Sequence, residues 1–199
     1  MNAATPRKRR RLVLGLLALL FLAPLALSFY LYYGGWRVSG DVSHGDLITP
    51  ARTLPKVSLG GPDGGVAALV FDGKWSLIYA GDGRCDADCR HALYVTRQVR
   101  LALNQHMERV QRVFLYRGEC CEEPYFSQEQ PGLIARDLDS AAGRELDAIL
   151  QSSVRAGEAR SRIWIADPLG NLVLSYPADT DPRGMIADMK KLLKLSHIG

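Results

Sequence analysis

The groups able to do covalent or metal chemistry in this chain are four cysteines: Cys85, Cys89, Cys120 and Cys121. Cys85 and Cys89 enclose Asp-Ala-Asp, a C-x3-C spacing that lets two sulfurs meet across one helical turn. Thiols so placed can close a disulfide or act as paired soft ligands for Cu(I). They lie where the chain leaves an apolar run ending at Ala80 and enters a long helical pattern. That position sets sulfur near unpaired backbone N–H groups and the positive end of a helix dipole, which favours thiolate. The local charges pull the other way, because Asp82, Asp86 and Asp88 outnumber Arg84 and Arg90. A negative shell attracts a cation and argues against a strongly oxidising disulfide catalyst. Cys120 and Cys121 follow a second apolar run, and four cysteines can pair in three ways. For this second pair the readings are small buried residues, one structural bridge, resolving thiols or extra metal ligands.

The other chemistry-bearing residues offer less. His91 stands two places after Cys89, and positions i and i+2 do not share a helix face. His106 falls on a polar helix face, and His44 and His197 fall in the approach to the domain and in its tail, so all are expected as solvated surface residues. Arg90, Arg97, Arg100 and Arg109 read as a solvated face, not a nucleic-acid patch. The sequence holds no phosphate loop, dinucleotide fingerprint or hydrolase elbow.

The elements that must position these cysteines are legible in the patterning. Trp75 to Ala80, preceded by Val66 to Phe71, reads as buried strand bounded by Asp72-Gly73 and Gly81-Asp82-Gly83. From Ala87 to Arg109, Val95, Val99, Leu103 and Met107 recur at i+4, which predicts one helix with a buried face. Val110 to Tyr116 predicts a strand in which Val113 and Leu115 alternate against Arg112, Phe114 and Tyr116. A polar stretch, a helix over 140–152, two strands over 162–166 and 172–176 around the Asp167-Pro-Leu-Gly-Asn171 turn, and a helix over 185–195 complete the pattern. A strand-helix-strand crossover pairs its strands in parallel, while the hairpin is antiparallel. The expected fold is therefore α/β: a thioredoxin-like mixed sheet with flanking helices. Parallel strands share an edge at their carboxyl ends, so Cys85, Cys89, Cys120, Cys121 and the loop 155–161 should converge on one rim.

The 199 residues carry a formal charge of +4, from 25 Lys and Arg against 21 Asp and Glu. That length allows a self-sufficient core, and 47% hydrophobic with 23% charged residues excludes a disordered chain or a multi-span membrane protein. Arg7 to Arg11 hold five of the positive charges, leaving −1 for the rest. Leu12 to Tyr33 then runs 22 residues without a charge. As a helix this spans roughly 33 Å, enough for a hydrocarbon core of about 30 Å. The basic flank places the N-terminus in the cytoplasm, and Tyr30, Tyr32, Tyr33 and Trp36 supply an aromatic belt. A cleaved signal peptide with its site at Ala26-Leu27-Ser28 is the competing reading, but apolar and aromatic residues continue past that site. The organisation expected is a cytoplasmic basic segment (1–11), a single-pass inner-membrane anchor (12–33), a periplasmic tether rich in Gly, Pro, Ser and Asp (34–65) and the folded domain (66–199).

Taken together, the anchor, the run Lys74-Trp-Ser-Leu-Ile-Tyr-Ala80 leading into Cys85-Asp-Ala-Asp-Cys89, and Ile163-Trp-Ile-Ala-Asp-Pro-Leu-Gly170 resemble the Sco/SenC family. These are membrane-anchored, thioredoxin-like copper proteins that assist cytochrome c oxidase assembly. The resemblance implies that Cys85 and Cys89 bind copper and cycle between dithiol and disulfide, Cys85 being the more exposed and attacking, Cys89 resolving. It implies an oxidase subunit or another assembly factor as partner. The chain departs from the family in having Asp86 and Ala87 where Pro and Asp usually follow the first cysteine. It also has Ala159 where the family has the histidine that is its third copper ligand. Two thiolates hold Cu(I) linearly but leave Cu(II) without that ligand, a place that Cys120 or Cys121 could take. Thiol-disulfide exchange, with or without transient Cu(I) handover, is the leading expectation. The alternatives are a non-catalytic assembly scaffold and a general thiol-disulfide oxidoreductase, the last disfavoured because the strand before Asp167 lacks a proline facing the cysteines.

Overall fold

A computed structural model of the chain describes residues 6–34, 43–69, 71, 73–121, 124–155, 157–158 and 161–196. It divides into two compact units, residues 1–42 and 43–199. The first is built on one helix, α1 (Pro6–Tyr33), within which Arg9–Tyr33 is long and apolar enough to cross a membrane. Leu14, Leu16, Leu17, Leu19, Leu20 and Phe21 are all exposed, so the apolar surface goes all the way round the helix. Such a helix suits a lipid surround, whereas a surface helix of a soluble domain shows a single apolar stripe.

In the second unit a six-stranded sheet has the order β1-β8-β7-β4-β5-β6. Its members are β1 (Asp46–Thr53), β4 (Trp75–Asp82), β5 (Val110–Arg117), β6 (Leu133–Asp137), β7 (Arg162–Ala166) and β8 (Asn171–Pro177). β4, β5 and β6 are parallel, while β4–β7, β7–β8 and β8–β1 are antiparallel, which gives the expected mixed sheet. A separate hairpin joins β2 (Val57–Gly60) to β3 (Val66–Leu69). α2 (Ala87–Ala102) and α5 (Pro182–Leu195) pack together, and Val95, Val99, Met185 and Met189 share one core with Leu77, Phe114 and Ile163. On the other face, Leu146 and Leu150 of α4 (Ala141–Ser152) bury Ile78, Val113 and Trp164, with Leu59 of β2 in the same cluster.

The compact unit begins at Ser43, not at residue 66, and two strands, β1 and β2, lie in the stretch expected as tether. β1 escapes a pattern reading because it is an edge strand in which only Ile48 is buried, with Pro50 inside it. It is tied down by the Asp46 carboxylate, which accepts from the buried Arg162 guanidinium. Val66–Leu69 pairs with β2 and not with the main sheet. The long helical pattern splits: α2 ends at Ala102, and a 3-10 helix occupies Asn104–Arg109. The polar stretch after β5 contains a short helix, α3 (Tyr125–Glu129), and the edge strand β6. β5 is buried on both faces, so Arg112 points inward and donates to Gln130 Oε1 at 2.7 Å and to the Pro131 carbonyl at 2.9 Å. Burial, then the neighbouring Arg100 and Arg97, push the Arg112 guanidinium down to about 10.

Candidate functional site

The chain leaves β4 at Asp82 through a short turn that is bonded at each step. The Gly83 N–H donates to the Arg117 carbonyl, the Arg84 N–H to the Asp82 carboxylate and the Cys85 N–H to the Asp82 carbonyl. Cys85 has a left-handed backbone (φ 52°), a conformation that costs a non-glycine residue on the order of 1–3 kcal/mol. Asp86 caps α2 by accepting from the Cys89 N–H at 3.0 Å. Cys85 and Cys89 are joined as a disulfide with their Cα atoms 5.0 Å apart. Arg90 Nε donates to the Cys85 carbonyl at 3.2 Å. Each cysteine is 2% exposed, so exposure does not distinguish an attacking from a resolving sulfur, contrary to the expectation for Cys85.

The pair belongs to a buried cluster rich in aromatic rings. Tyr79, Phe114, Tyr116 and Tyr176 belong to the same buried cluster, with Tyr125 and Phe126 packed against it. The Tyr79 hydroxyl is pushed up to about 12, first by burial and then by the Asp86 and Asp88 carboxylates. Those two carboxylates stand between Cys85 and Cys89 in the chain, and their charge is felt at the Tyr79 hydroxyl.

Cys120 and Cys121 form a second disulfide, between adjacent residues, with Cα atoms 3.1 Å apart. The rim convergence expected for the two pairs is realised. Asp82 and Arg117 are register partners in the parallel pair β4–β5, and each pair of cysteines starts three residues farther on. The contact between the loops is intimate: a Cβ on Gly83 would stand 2.2 Å from the Glu119 carbonyl oxygen and 2.9 Å from Cys120 Cβ. Cys120 and Cys121 pack against the cluster that contains Cys85 and Cys89, yet both are only half-buried. They open on a cleft of about 440 Å³ whose lining includes Pro62, Asp63, Phe126 and Gln130.

α3 bridges this loop to α2. The Arg90 guanidinium lies 4.8 Å from the centre of the Tyr125 ring, Gln130 Nε2 donates to the Tyr125 hydroxyl at 3.0 Å, and Gln130 Oε1 accepts from Arg112. Phe126 stacks on Phe114 at 5.8 Å. Sequence reasoning missed Gly83, Tyr79, Tyr125 and Gln130. The sole signals were a glycine two residues before the first cysteine and two aromatics after the second pair, and neither has a period that marks it.

The described histidines stay outside the site. His91 is exposed, with its ring 6.5 Å from Tyr94. His44 is not merely solvated: its Nδ1 lies 3.2 Å from Asp188 Oδ1, and its backbone N–H donates to Asp188 Oδ2 at 2.6 Å. His197 and Ala159, the place of the family's third ligand, lie outside the described residues. Among the described residues no group of three or more His, Cys, Asp or Glu is placed to hold a metal ion. The donor set offered by Cys85 and Cys89 is two sulfurs, which once reduced suits linear Cu(I) and not Cu(II).

A family model described as transmembrane-like, thioredoxin-like, C-terminal domain matches residues 75–196. No relative among curated proteins matches by sequence. Among solved structures, the fold is similar to apo Sco1 of Thermus thermophilus, at 22% identity and a TM-score of 0.60, over 77% of this chain and 99% of that one. Copper-bound yeast Sco1 is similar at 17% identity and a TM-score of 0.58, over 79% and 96%. BsSco, a member of the Sco family of cytochrome c oxidase assembly proteins in which a disulfide switch was identified, is similar at 14% identity and a TM-score of 0.54, over 74% and 96%. These likenesses bear out the expected resemblance in fold.

Proposed function

The chain belongs to the family of transmembrane-like, thioredoxin-like C-terminal domains, and from that premise we propose that it is a membrane-anchored, periplasm-facing protein that assists copper-site assembly of cytochrome c oxidase by dithiol-disulfide exchange. The observation that carries this reading is the Cys85–Cys89 pair. It closes one turn across the start of α2, capped by Asp86, at the carboxyl edge of the parallel strands. The oxidase as partner is carried over from the Sco-like fold, and the anchor from the span Arg9–Tyr33 with its basic flank.

In the exchange, Cys85–Cys89 is the two-electron couple. Its disulfide accepts electrons from a dithiol, or its dithiol reduces a disulfide on the partner's copper-site cysteines. Asp86 fixes the first turn of α2 so that Cys89 is held within reach of Cys85 in both states. Arg90 holds the Cys85 carbonyl, which keeps the left-handed turn in place. Cu(I), where it is handled, is cargo on the two reduced sulfurs, and Asp86 and Asp88, which stand between them in the chain, favour a cation there.

The test uses the full chain in detergent, poised in a series of dithiol-disulfide buffers, quenched by alkylation and read by mass spectrometry. Cys85 and Cys89 should pass reversibly between bonded and free. Cells carrying Cys85→Ser with Cys89→Ser should assemble oxidase with less copper than wild type. A pair that stays bonded across the whole series, with normal oxidase copper in the variant, defeats the reading.

A further inference from the structure

The two disulfides differ in access. Cys85 and Cys89 are 2% exposed each and are packed in one buried cluster with Tyr79, Phe114 and Tyr116, which leaves a thiolate carried on another protein almost no surface of their bond to attack. Disulfide exchange needs the incoming sulfur to reach a bonded sulfur directly. Cys120 and Cys121 are half-buried and line an open cleft of about 440 Å³. Their loop is pressed onto the loop that leads to Cys85, with room for no side chain at Gly83. Both pairs pack into one apolar cluster.

We propose that Cys120–Cys121 is the exchange port of the protein: a partner dithiol reacts at this half-exposed disulfide in the cleft beside Phe126 and Gln130, and the electrons pass internally to the buried Cys85–Cys89 couple. The proposal rests on the reading of Cys85–Cys89 as a redox couple. In the first step a partner thiolate attacks one sulfur of Cys120–Cys121; that S–S bond breaks, a mixed disulfide forms, and the displaced sulfur takes up a proton. The partner's second thiolate attacks the mixed disulfide and leaves the partner oxidised and Cys120 and Cys121 as thiols. One of these, as thiolate, then attacks the Cys85–Cys89 bond, and the other resolves the internal mixed disulfide. The net result is Cys120–Cys121 restored, Cys85 and Cys89 reduced to thiols, and two electrons with two protons transferred from the partner dithiol. The steps run in reverse when the partner brings a disulfide.

The port also explains the missing side chain before the first cysteine. Glycine at position 83 allows the closest approach of the two loops, and its N–H is bonded to the Arg117 carbonyl, so the approach is fixed by backbone on both sides.

The experiment exposes the oxidised full chain in detergent to a reduced protein dithiol, reduced thioredoxin, and samples the redox state of each pair by rapid alkylation and mass spectrometry. In wild type, thiols should appear on Cys120 and Cys121 before Cys85 and Cys89. In Cys120→Ser with Cys121→Ser, reduction of Cys85–Cys89 should slow by at least tenfold. Cys89→Ser with Cys121→Ser leaves Cys85 and Cys120, and under mild oxidation these should form a cross-link identified by peptide mapping. Equal rates of Cys85–Cys89 reduction with and without the second pair overturn the port and leave the couple standing. A Cys85–Cys89 bond that is never reduced in wild type, while Cys120–Cys121 is, overturns both. The order of thiol appearance needs no variant, so a substitution that impairs folding does not shield the proposal.

Discussion

Gly83 and Cys120 approach so closely that a Cβ on Gly83 would lie 2.9 Å from Cys120 Cβ and closer still, 2.2 Å, to the carbonyl oxygen of Glu119. This contact joins the loop that carries Cys85 to the loop that carries Cys120 and Cys121. It arises because Asp82 and Arg117 stand in register at the ends of adjacent parallel strands, so both loops leave the sheet at the same level.

Gly83→Ala should therefore be expensive, since the nearest obstacle is backbone and not the flexible end of a side chain. Overpacking of this kind costs about 1–3 kcal/mol, and the loops must separate to relieve it. A lowered denaturation midpoint, together with slower arrival of electrons at Cys85–Cys89 from reduced thioredoxin, is the expected pair of results. An unchanged midpoint and rate would show that the loops are not held in contact.

Asp188 makes the N-terminal boundary of the domain sensitive to pH. Burial alone would raise its carboxyl, but hydrogen bonds from the Tyr176 hydroxyl, the His44 side chain and the His44 and Gly45 backbone N–H groups outweigh it and hold the group below its ordinary 3.8. A depressed folded pKa gives stability that is fully present above the unfolded value and is lost as pH falls through the folded one. Asp188→Asn places an amide against these donors and should cost about 1–3 kcal/mol at pH 7. The gap between variant and wild type should narrow below about pH 4. A constant gap from pH 7 to pH 3 in chemical denaturation would count against this account.

The field around Cys85 and Cys89 can be read through Tyr79, whose hydroxyl ionises near 12. Asp86→Asn with Asp88→Asn should move it downward, though not to 10, because burial is the larger cause and remains. Ultraviolet difference titration of the phenolate provides the measurement. No movement on removing both carboxylates would mean that they do not act on the site.

Copper binding should follow the redox state of the buried pair. The dithiol form is expected to take up about one Cu(I) in competition with a chelator, and the disulfide form none, because both soft donors are then spent in one bond. Cys85→Ser should abolish the uptake. Cu(II) should be held far more weakly, since no third ligand joins the two sulfurs among the described residues. Tight Cu(II) binding by the wild type would overturn that donor set.

Much of this was legible in the linear chain, for local reasons. The buried strand at Trp75, the helix that opens at Ala87 after an aspartate cap and the hairpin at Asp167 each follow from residues within a few positions of one another. The spacing of Cys85 and Cys89 needs only one helical turn to become a bonded pair. β1 and β6 were hidden because they are edge strands, with no alternating pattern to expose them. The alternation in β5 set Arg112 on the face opposite Val113 and Leu115, but it carried no sign that both faces are buried.

The linear order of residues carries the inventory: a span able to cross a membrane, a mixed α/β domain and a C-x3-C pair at the mouth of a helix. It takes the packed domain to seal Cys85 and Cys89 while Cys120 and Cys121 meet a cleft, and to make Gly83 the point where the two loops touch. Burial and loop contact depend on strand register and on side chains brought from α3, the β2–β3 turn and β5. The β2–β3 turn is far from Cys120 in the chain, and even the neighbouring α3 and β5 share no period with it by which to announce the contact.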